Sequence, residues 1–458
     1  MLAPSDSSFR DPSGYVYRGD NGILYRSVSQ AYKPTYEHLI KSGLYQSLVE
    51  KGWLVQHEEI HLAKTSSAVS YTLKPVELPF ISYPYEWSFG QLKDAALLTL
   101  EIQLEALKYN LTLKDASAYN VTFYKDRPIF LDTLSFEQYN QDQPWIAYKQ
   151  FCQHFLAPLA LAAYRSPELI KLLQSNIDGI PLSTASKLLP TKSYMSLGML
   201  LHLHLHAKAQ QKLSQTKTSS IPKHAASQQS VMHLVSNLKS AVKNLNWQPD
   251  KTVWASYYTE NNNYSDASMQ HKAQLVEEFL TGIATDTIWD VGANTGKFSR
   301  IASNYANQVI ATDFDYGAVE LLYQQLKSEK ATAIVPLVSD ITNPSPSIGW
   351  FNKERTSFLQ RIQPDVILAL AVVHHLAIAN NIPLVRIAEL FASKCEYLIV
   401  EFIPKKDSQV RLMLQARKDI FSDYTEEGFE QAFKMYFDVL LKKQLSSSDR
   451  SLYLMRKR

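Results

Sequence analysis

The sequence predicts an α/β protein of two domains, with a mainly parallel sheet in its C-terminal half. A strand, a glycine turn, a helix and a second strand follow one another between residues 287 and 313. Short, almost wholly apolar segments recur after them, as is typical of parallel strands covered on both faces. The length of 458 residues exceeds what one hydrophobic core usually serves.

The glycine turn predicts a nucleoside site. It reads Asp290-Val-Gly292-Ala-Asn294-Thr-Gly296, and glycine lets the chain bend sharply where a Cβ atom would block the approach of a ligand. Asp313 ends the second strand about twenty residues further on, where a carboxylate accepts both hydroxyls of an adenosine ribose. The acid at position 290 suits a cationic or amino-bearing ligand better than a pyrophosphate.

Further apolar segments predict the rest of this sheet, and the last two predict an antiparallel hairpin. In chain order they are Thr332–Asp340, Asp365–Val373, Glu396–Phe402, Tyr436–Leu445 and Ser451–Met455. His374 and His375 follow the second of these segments, at the edge where such sheets bind their ligands.

These residues resemble the class I S-adenosylmethionine-dependent methyltransferases, whose first motif is an acid followed by G-x-G-x-G. Asn294 replaces the middle glycine, and asparagine tolerates a positive φ better than most residues. The VVHHL sequence resembles the fourth motif of many small-molecule methyltransferases. The resemblance covers residues 246–458 and implies a Rossmann-like, seven-stranded methyltransferase sheet with S-adenosylmethionine as the cofactor.

The resemblance also implies roles for particular residues. A segment rich in aromatic side chains precedes the first strand and would fold over the cofactor as a lid, unless its rings are ordinary packing aromatics. A hydroxyl acceptor would need a base, for which His375 is preferred to His374, unless the pair only packs at the strand end. No metal ligand is implied. The expected cofactor-binding residues are Asp290, Gly292, Asn294, Gly296, Asp313, Phe314, Asp340, Ile341, Tyr257 and Tyr264.

Two local patterns, Asn343–Trp350 and LALAVVHHLAIANNIPL, resemble a narrower bacterial group that includes host-specific nodulation proteins. Its members are mostly inferred methyltransferases, so the resemblance implies a reaction type more than a substrate. The fourth motif lacks the Asn/Asp-Pro-Pro-aromatic sequence expected of methyltransferases that act on DNA or protein amides. The expected acceptor is therefore a small molecule, a sugar or a glycan, methylated on oxygen or nitrogen.

Residues 1–206 predict an α+β domain with a weaker resemblance. Asp115, Asn120 and Asp132 resemble the catalytic loop and metal-binding acid of protein-kinase-like phosphotransferases. The match is incomplete, because Leu113-Lys114 replaces the expected His or Tyr and the glycine after the second aspartate is missing. Three alternatives stay open: an active kinase-like domain, a degenerate one kept for binding, or a turn where Asp and Asn satisfy backbone groups.

Between the domains, residues 207–230 contain no aromatic or acidic side chain, which predicts a flexible linker. The C-terminal domain then spans residues 231–458, and an apolar stripe from Val231 to Leu245 predicts a helix that packs on it. His202 and His206 share one helix face, but without a third ligand they are interpreted as solvent-facing histidines.

The composition narrows the class of protein further. A net charge of +3 gives no overall field for nucleic acid, and no apolar run reaches the length of a membrane span. The two cysteines lie far apart in the sequence, so no disulfide framework is encoded and a cytoplasmic protein is expected. The substrate is expected to be small, as the fourth motif indicates. The sequence makes no prediction of the oligomeric state. A NAD-dependent oxidoreductase and a non-catalytic binding protein remain as alternatives.

Overall fold

The computed structural model describes residues 5–6, 8–61, 68–141, 143–215, 227–249, 266–415 and 418–458. The chain divides into two compact units. The first contains Met1–Trp247 and Ser347–Thr356, and the second contains Gln248–Pro346 and Ser357–Arg458. The segment Ser347–Thr356 lies within the C-terminal sequence but belongs to the first unit, a feature that chain order does not predict.

The first unit is α+β, as predicted. Its antiparallel sheet has the order β1-β2-β4-β3, formed by β1 (Val16–Arg18), β2 (Leu24–Ser29), β3 (His57–Ile60) and β4 (Val69–Pro75). Two antiparallel pairs follow, β5 (Leu111–Leu113) with β8 (Phe136–Gln138) and β6 (Val121–Tyr124) with β7 (Arg127–Phe130). Its described α-helices are α1 (Lys33–Lys41), α2 (Leu44–Glu50), α3 (Phe89–Lys108), α4 (Tyr148–Phe151), α5 (Ala157–Tyr164), α6 (Leu172–Ser175), α7 (Leu182–Leu188), α8 (Leu197–Met199), α9 (His206–Gln215) and α10 (Gln228–Asn244).

Both ends of the predicted linker are helical, so the prediction of a linker over 207–230 is wrong there. Residues 207–215 belong to α9 and residues 228–230 to α10. Alanine, glutamine, lysine and leucine favour a helix even where acidic and aromatic residues are absent. The expected packing of α10 on the C-terminal domain is also wrong, because α10 belongs to the first unit and packs against α3.

Two histidines of the segment before α9 are buried rather than solvent-facing, which corrects the sequence interpretation for His202. His202 is 4% exposed and His204 is fully buried. The Tyr148 hydroxyl lies 2.9 Å from His202 Nδ1. The hydroxyls of Ser186 and Ser193 each lie 2.8 Å from a ring nitrogen of His204. These two histidines are therefore buried beside hydroxyl groups of neighbouring side chains. Among the described residues, no group of three or more His, Cys, Asp or Glu side chains is placed to hold a metal ion.

The second unit confirms the predicted α/β fold. Its described strands form a seven-stranded sheet in the order β11-β10-β9-β12-β13-β15-β14. The first five in that order run parallel, and β15 is antiparallel to both of its neighbours. The strands are β9 (Thr287–Val291), β10 (Gln308–Asp313), β11 (Ile334–Val338), β12 (Val366–Ala369), β13 (Tyr397–Phe402), β14 (Phe437–Gln444) and β15 (Ser451–Lys457).

Helices cover the sheet of the second unit and complete its core. No described helix has both the length and the apolar character needed to cross a membrane. The described α-helices of this unit are α11 (Asp266–Leu280), α12 (Lys297–Ala302), α13 (Tyr316–Glu329), α14 (Phe358–Arg361), α15 (Leu384–Ala392), α16 (Ser408–Gln415) and α17 (Glu426–Lys434).

Strand β12 is shorter than the sequence predicts. It ends at Ala369, whereas the apolar run continues to Val373. Ala371 has a φ of 56°, a left-handed conformation that is unusual for alanine and that ends the extended chain. His375 then opens a single π-helical turn, His375–Ala379. The two histidines therefore lie on a turn beyond the strand.

Candidate functional site

A pocket of about 320 Å³ lies at the carboxyl ends of β9, β10, β11 and β12. This volume is within the usual range for small-molecule sites, about 300–1,000 Å³. It lies at the edge of the sheet where parallel α/β folds bind their ligands. The lining residues are Lys272, Val291, Gly292, Asn294, Thr312, Asp313, Phe314, Ser339, Asp340, Ile341, Thr342, Leu370, Ala371, Val372, His375, Leu376, Ala379 and Asn380.

The turn after β9 has the backbone conformation that its glycines predict. Gly292 has a φ of 71°, Asn294 a φ of 52° and Gly296 a φ of 78°. A Cβ atom at position 292 would lie 2.8 Å from Val372 Cγ2, so a side chain there would press on the pocket wall. A Cβ atom on Gly296 would collide with Leu322 of α13. Asparagine at the middle position accepts the left-handed conformation, as expected.

The carboxylate of Asp313 is held in place by the backbone. Its Oδ2 accepts from the N–H of Asn294 at 2.8 Å, and its Oδ1 accepts from the N–H of Asp315 at 3.0 Å. Each carboxylate oxygen keeps a further lone pair for a ligand hydroxyl. Burial raises the pKa of Asp313 to about 6, against the hydrogen bonds from Asp315 and Asn294. The group is therefore mainly ionised at neutral pH and suited to accept two donors.

Asp290 does not line the pocket that the described residues form, and its predicted contact with the cofactor stays a prediction. Its Oδ2 accepts a hydrogen bond from the Ser299 hydroxyl at 2.6 Å, and only 2% of the residue is exposed. Burial raises its pKa to about 6, and the nearby charge of Asp313 adds to the rise. Asp290 thus links the end of β9 to α12 and orients the turn.

Replacement of Asp290 with asparagine is expected to stabilise the unliganded protein by about 1–2 kcal/mol near neutral pH. Its pKa rises from 3.8 to about 6, so the folded protein binds more protons than the unfolded chain between these values. The stability contributed by this group therefore falls as the pH rises through that interval. Urea unfolding at about pH 7.5 and about pH 4.5 should show a larger advantage of the variant at the higher pH. An equal advantage at both values would contradict this assignment.

The structure distinguishes the two histidines. His375 lines the pocket, and burial lowers its pKa to about 4, so its ring is neutral at physiological pH. His374 is 3% exposed and lies outside the pocket. Within the described residues its Nδ1 has no hydrogen-bond partner. Only His375 is placed to exchange a proton with a bound molecule.

Sequence reasoning missed Lys272 and Glu401 as a pair. Lys272 Nζ donates to Glu401 Oε2 at 2.7 Å, and the two side chains are 2% and 0% exposed. The residues are 129 positions apart, so no local motif joins them. The sequence offered two separate signals of burial. One is a lysine within a predicted helix, and the other is a glutamate near the end of a predicted buried strand.

Of the predicted cofactor-binding residues, Gly292, Asn294, Asp313, Phe314, Asp340 and Ile341 line the pocket. Asp290 and Gly296 support the turn from outside it. Tyr257 and Tyr264 lie outside the described residues, so their predicted role as a lid stays a prediction.

The kinase-like residues of the first unit are occupied by local contacts. Asp115 Oδ1 accepts from Gln150 Nε2 at 2.8 Å and from the N–H of Ser117 at 2.9 Å. Asn120 Nδ2 donates to the Ser135 hydroxyl at 3.2 Å. That hydroxyl donates to Asp132 Oδ2 at 2.8 Å, and Arg26 forms an ion pair of 2.5 Å with Asp132 Oδ1. Asn120 and Asp132 thus lie close together, but a phosphotransferase role stays a prediction.

The whole chain has a curated relative. Nodulation protein NoeA of Rhizobium meliloti (strain 1021) is 37% identical over 460 residues, covering 97% of this chain and 94% of that protein. The N-methyltransferase NodS from Bradyrhizobium japonicum WM9 is 12% identical, over 42% of this chain and 98% of that chain, with a TM-score of 0.32. The bifunctional kinase-methyltransferase WbdD is 16% identical, over 45% of this chain and 43% of that chain, with a TM-score of 0.31. No protein-family model matches.

Five parallel strands completed by an antiparallel pair, with a pocket at their carboxyl ends, define the second unit as a class I methyltransferase fold. The identity to the rhizobial protein extends over both units. This chain belongs to the family of nodulation protein NoeA.

Proposed function

We propose that the protein is an S-adenosylmethionine-dependent methyltransferase that methylates an oxygen or nitrogen atom of a small molecule, sugar or glycan. The observation that carries this proposal is the Asp313 carboxylate, fixed by the N–H groups of Asn294 and Asp315 at the pocket wall. Such a carboxylate suits the two hydroxyls of a ribose. Asp340 and Ile341 would flank the adenine, and Phe314 lines the same end of the pocket.

When bound, S-adenosylmethionine supplies a methyl group on a positively charged sulfur. The contribution of the protein is mainly to hold the acceptor in line with that methyl group. A hydroxyl acceptor must lose its proton as the new bond to carbon forms. In this proposal the neutral ring of His375, which lines the pocket, takes that proton, and the apolar side chains of Leu370, Val372 and Leu376 exclude water.

Replacement of His375 with glutamine is expected to lower the rate of methyl transfer to a hydroxyl acceptor by about 100-fold or more. Affinity for S-adenosylhomocysteine should change little, because the ribose and adenine contacts remain. The matched variant is His374→Gln, which alters a buried neighbour outside the pocket and should lower stability more than the rate. Single-turnover rates and calorimetric titration of both variants test this. Equal loss of rate in both variants would show that the pair is structural.

Calorimetric titration with S-adenosylmethionine and S-adenosylhomocysteine, beside NADH and ATP with Mg²⁺, tests the central proposal. Binding of the two adenosyl ligands would support it and justify transfer assays with labelled methyl groups on sugars, glycans and small amines. Binding of NADH alone would indicate an oxidoreductase. Binding of ATP alone would direct attention to the first unit. Failure to bind any of them would contradict the proposal and favour a non-catalytic binding protein.

A further inference from the structure

An exposed apolar surface lies on the first unit, in the part of the chain around α8. Met195 is 88% exposed and Leu197 is 69% exposed, and four more apolar residues nearby are 40–45% exposed. Single exposed apolar residues are ordinary on a protein surface, whereas a contiguous group of them marks a site of interaction. We name the group the leucine face, and its members are Leu188, Tyr194, Met195, Leu197, Leu201 and Leu205.

Three of these leucines follow one side of a continuous helical segment. Helix α8, a π-helical turn (Leu200–Leu205) and α9 succeed one another without a break. Leu197, Leu201 and Leu205 are four residues apart, a spacing that places side chains on one side of a helix. Leu203, which points away from them, is fully buried. The segment therefore has one apolar side for the core of its own unit and a second one that faces solvent.

The other members of the leucine face are held against this helical segment. The rings of Tyr194 and His204 are stacked, with their centres 3.7 Å apart. The Ser186 hydroxyl of α7 lies 2.8 Å from His204 Nδ1, which brings Leu188, two residues further along the chain, to the same part of the unit. The exposed side chain of Arg165 donates through Nε to the Leu188 carbonyl at 3.0 Å. The leucine face is thus one surface with a cation at its margin.

The chain around the leucine face carries no acidic residue. Residues 179–249 contain eight lysines and no aspartate or glutamate, although the whole chain has 44 acidic residues. Lys187, Lys192 and Lys208 are exposed and lie within one to four positions of a member of the leucine face. The surface therefore combines exposed aliphatic side chains with uncompensated positive charge along the sequence.

This combination discriminates between possible partners. A second copy of the chain would bring two acid-free, lysine-rich surfaces together, which the repulsion of like charges opposes. A nucleic acid would attract the lysines, but its phosphate backbone offers nothing apolar to the leucines. An anionic lipid bilayer offers both, because aliphatic side chains enter the boundary between headgroups and acyl chains while lysines stay among the headgroups.

We propose that the leucine face docks on the surface of an anionic lipid bilayer. The protein lies on the bilayer without crossing it, since no described helix is suited to span a membrane. The leucines supply apolar insertion, and the lysines supply attraction that a neutral bilayer lacks. This inference goes beyond the proposed function and does not depend on it.

Flotation of the full chain with lipid vesicles tests the proposal. The wild-type protein should float with vesicles of phosphatidylglycerol and phosphatidylcholine, and much less with vesicles of phosphatidylcholine alone. In Leu197→Gln/Leu201→Gln/Leu205→Gln, partitioning to the anionic vesicles should fall by about 10-fold or more. The three leucines are exposed and glutamine favours helices nearly as well as leucine, so the variant should fold, which urea unfolding verifies.

The matched control is Leu412→Gln/Ile420→Gln/Met435→Gln, which replaces three exposed apolar side chains of the second unit. It should partition like the wild type. Lys187→Gln/Lys208→Gln should reduce binding to the anionic vesicles and leave the weak binding to phosphatidylcholine unchanged. Added salt should have a similar effect, because it screens exposed charges.

Three outcomes would overturn the proposal. One is the absence of wild-type binding to the anionic vesicles, and another is an equal loss in the leucine variant and its control. The third is a loss in the lysine variant alone, which would show an electrostatic contact without apolar insertion. If the protein instead formed a dimer that the leucine variant abolished, without binding vesicles, the surface would belong to a contact between two copies. None of these outcomes depends on binding of a cofactor.

Discussion

Replacement of Asp313 with alanine should weaken the binding of S-adenosylhomocysteine by about 100- to 10,000-fold. Hydrogen bonds to a charged group contribute about 1.5–3 kcal/mol each, and the carboxylate is placed to accept two of them from the ribose. Tenfold in affinity corresponds to about 1.4 kcal/mol, which gives the expected range. The measurement is calorimetric titration near neutral pH, where the carboxyl, with a pKa of about 6, is mainly ionised.

The control for this variant is Asp438→Asn, which removes a carboxylate from an exposed ion pair with Arg458 in the same unit. Its affinity should equal that of the wild type. A second signature concerns stability: Asp313→Asn should make the unliganded protein more resistant to urea near neutral pH, because it removes a charge that burial disfavours. Loss of binding together with loss of stability would instead indicate that Asp313 holds the turn.

The sequence predicts this site well wherever neighbouring residues along the chain carry the signal. Gly292 and Asn294 both adopt the left-handed conformation that their residue types favour. Asp313 is the last residue of its strand, as the spacing from the glycine turn predicts. These features are local, because the strand, the turn and the acid at the end of the next strand lie within about thirty residues of one another.

Features that depend on tertiary contacts were not predictable in the same way. Lys272 and Glu401 meet only because α11 and β13 approach each other in the folded unit. The segment Ser347–Thr356 belongs to the first unit, although its sequence lies between two strands of the second. His202 reads as a solvent-facing histidine, yet it is 4% exposed and lies 2.9 Å from the Tyr148 hydroxyl. No periodicity or motif encodes such long-range pairing.

Asp290 and Gly296 show a subtler limit of motif reasoning. Both belong to the turn that contacts the ligand in the family resembled, and both were expected to touch the cofactor. In the structure Asp290 binds Ser299 and Gly296 packs against Leu322. Both residues thus have roles in building the turn, and their predicted contact with the cofactor stays a prediction.

The role of Gly296 gives a large expected effect on stability. Gly296→Ala should destabilise the protein by about 2–5 kcal/mol. A left-handed conformation costs an alanine about 1–2 kcal/mol, and overpacking a well-packed core costs about 1–3 kcal/mol more. Its matched control is Gly282→Ala, since Gly282 has a φ of 88° with no atom within 4 Å of the added Cβ. That variant should lose only the conformational part.

The collision with Leu322 can be separated from the backbone strain by a double-mutant cycle. Leu322→Ala alone should cost about 2–5 kcal/mol, because Leu322 is fully buried and its truncation leaves a cavity. In the Gly296→Ala background the same truncation should cost less, since it also relieves the collision. Urea unfolding of the four proteins measures the coupling. Additive losses, or equal losses in Gly296→Ala and Gly282→Ala, would show that Gly296 is needed for its φ alone and that its packing on α13 contributes nothing.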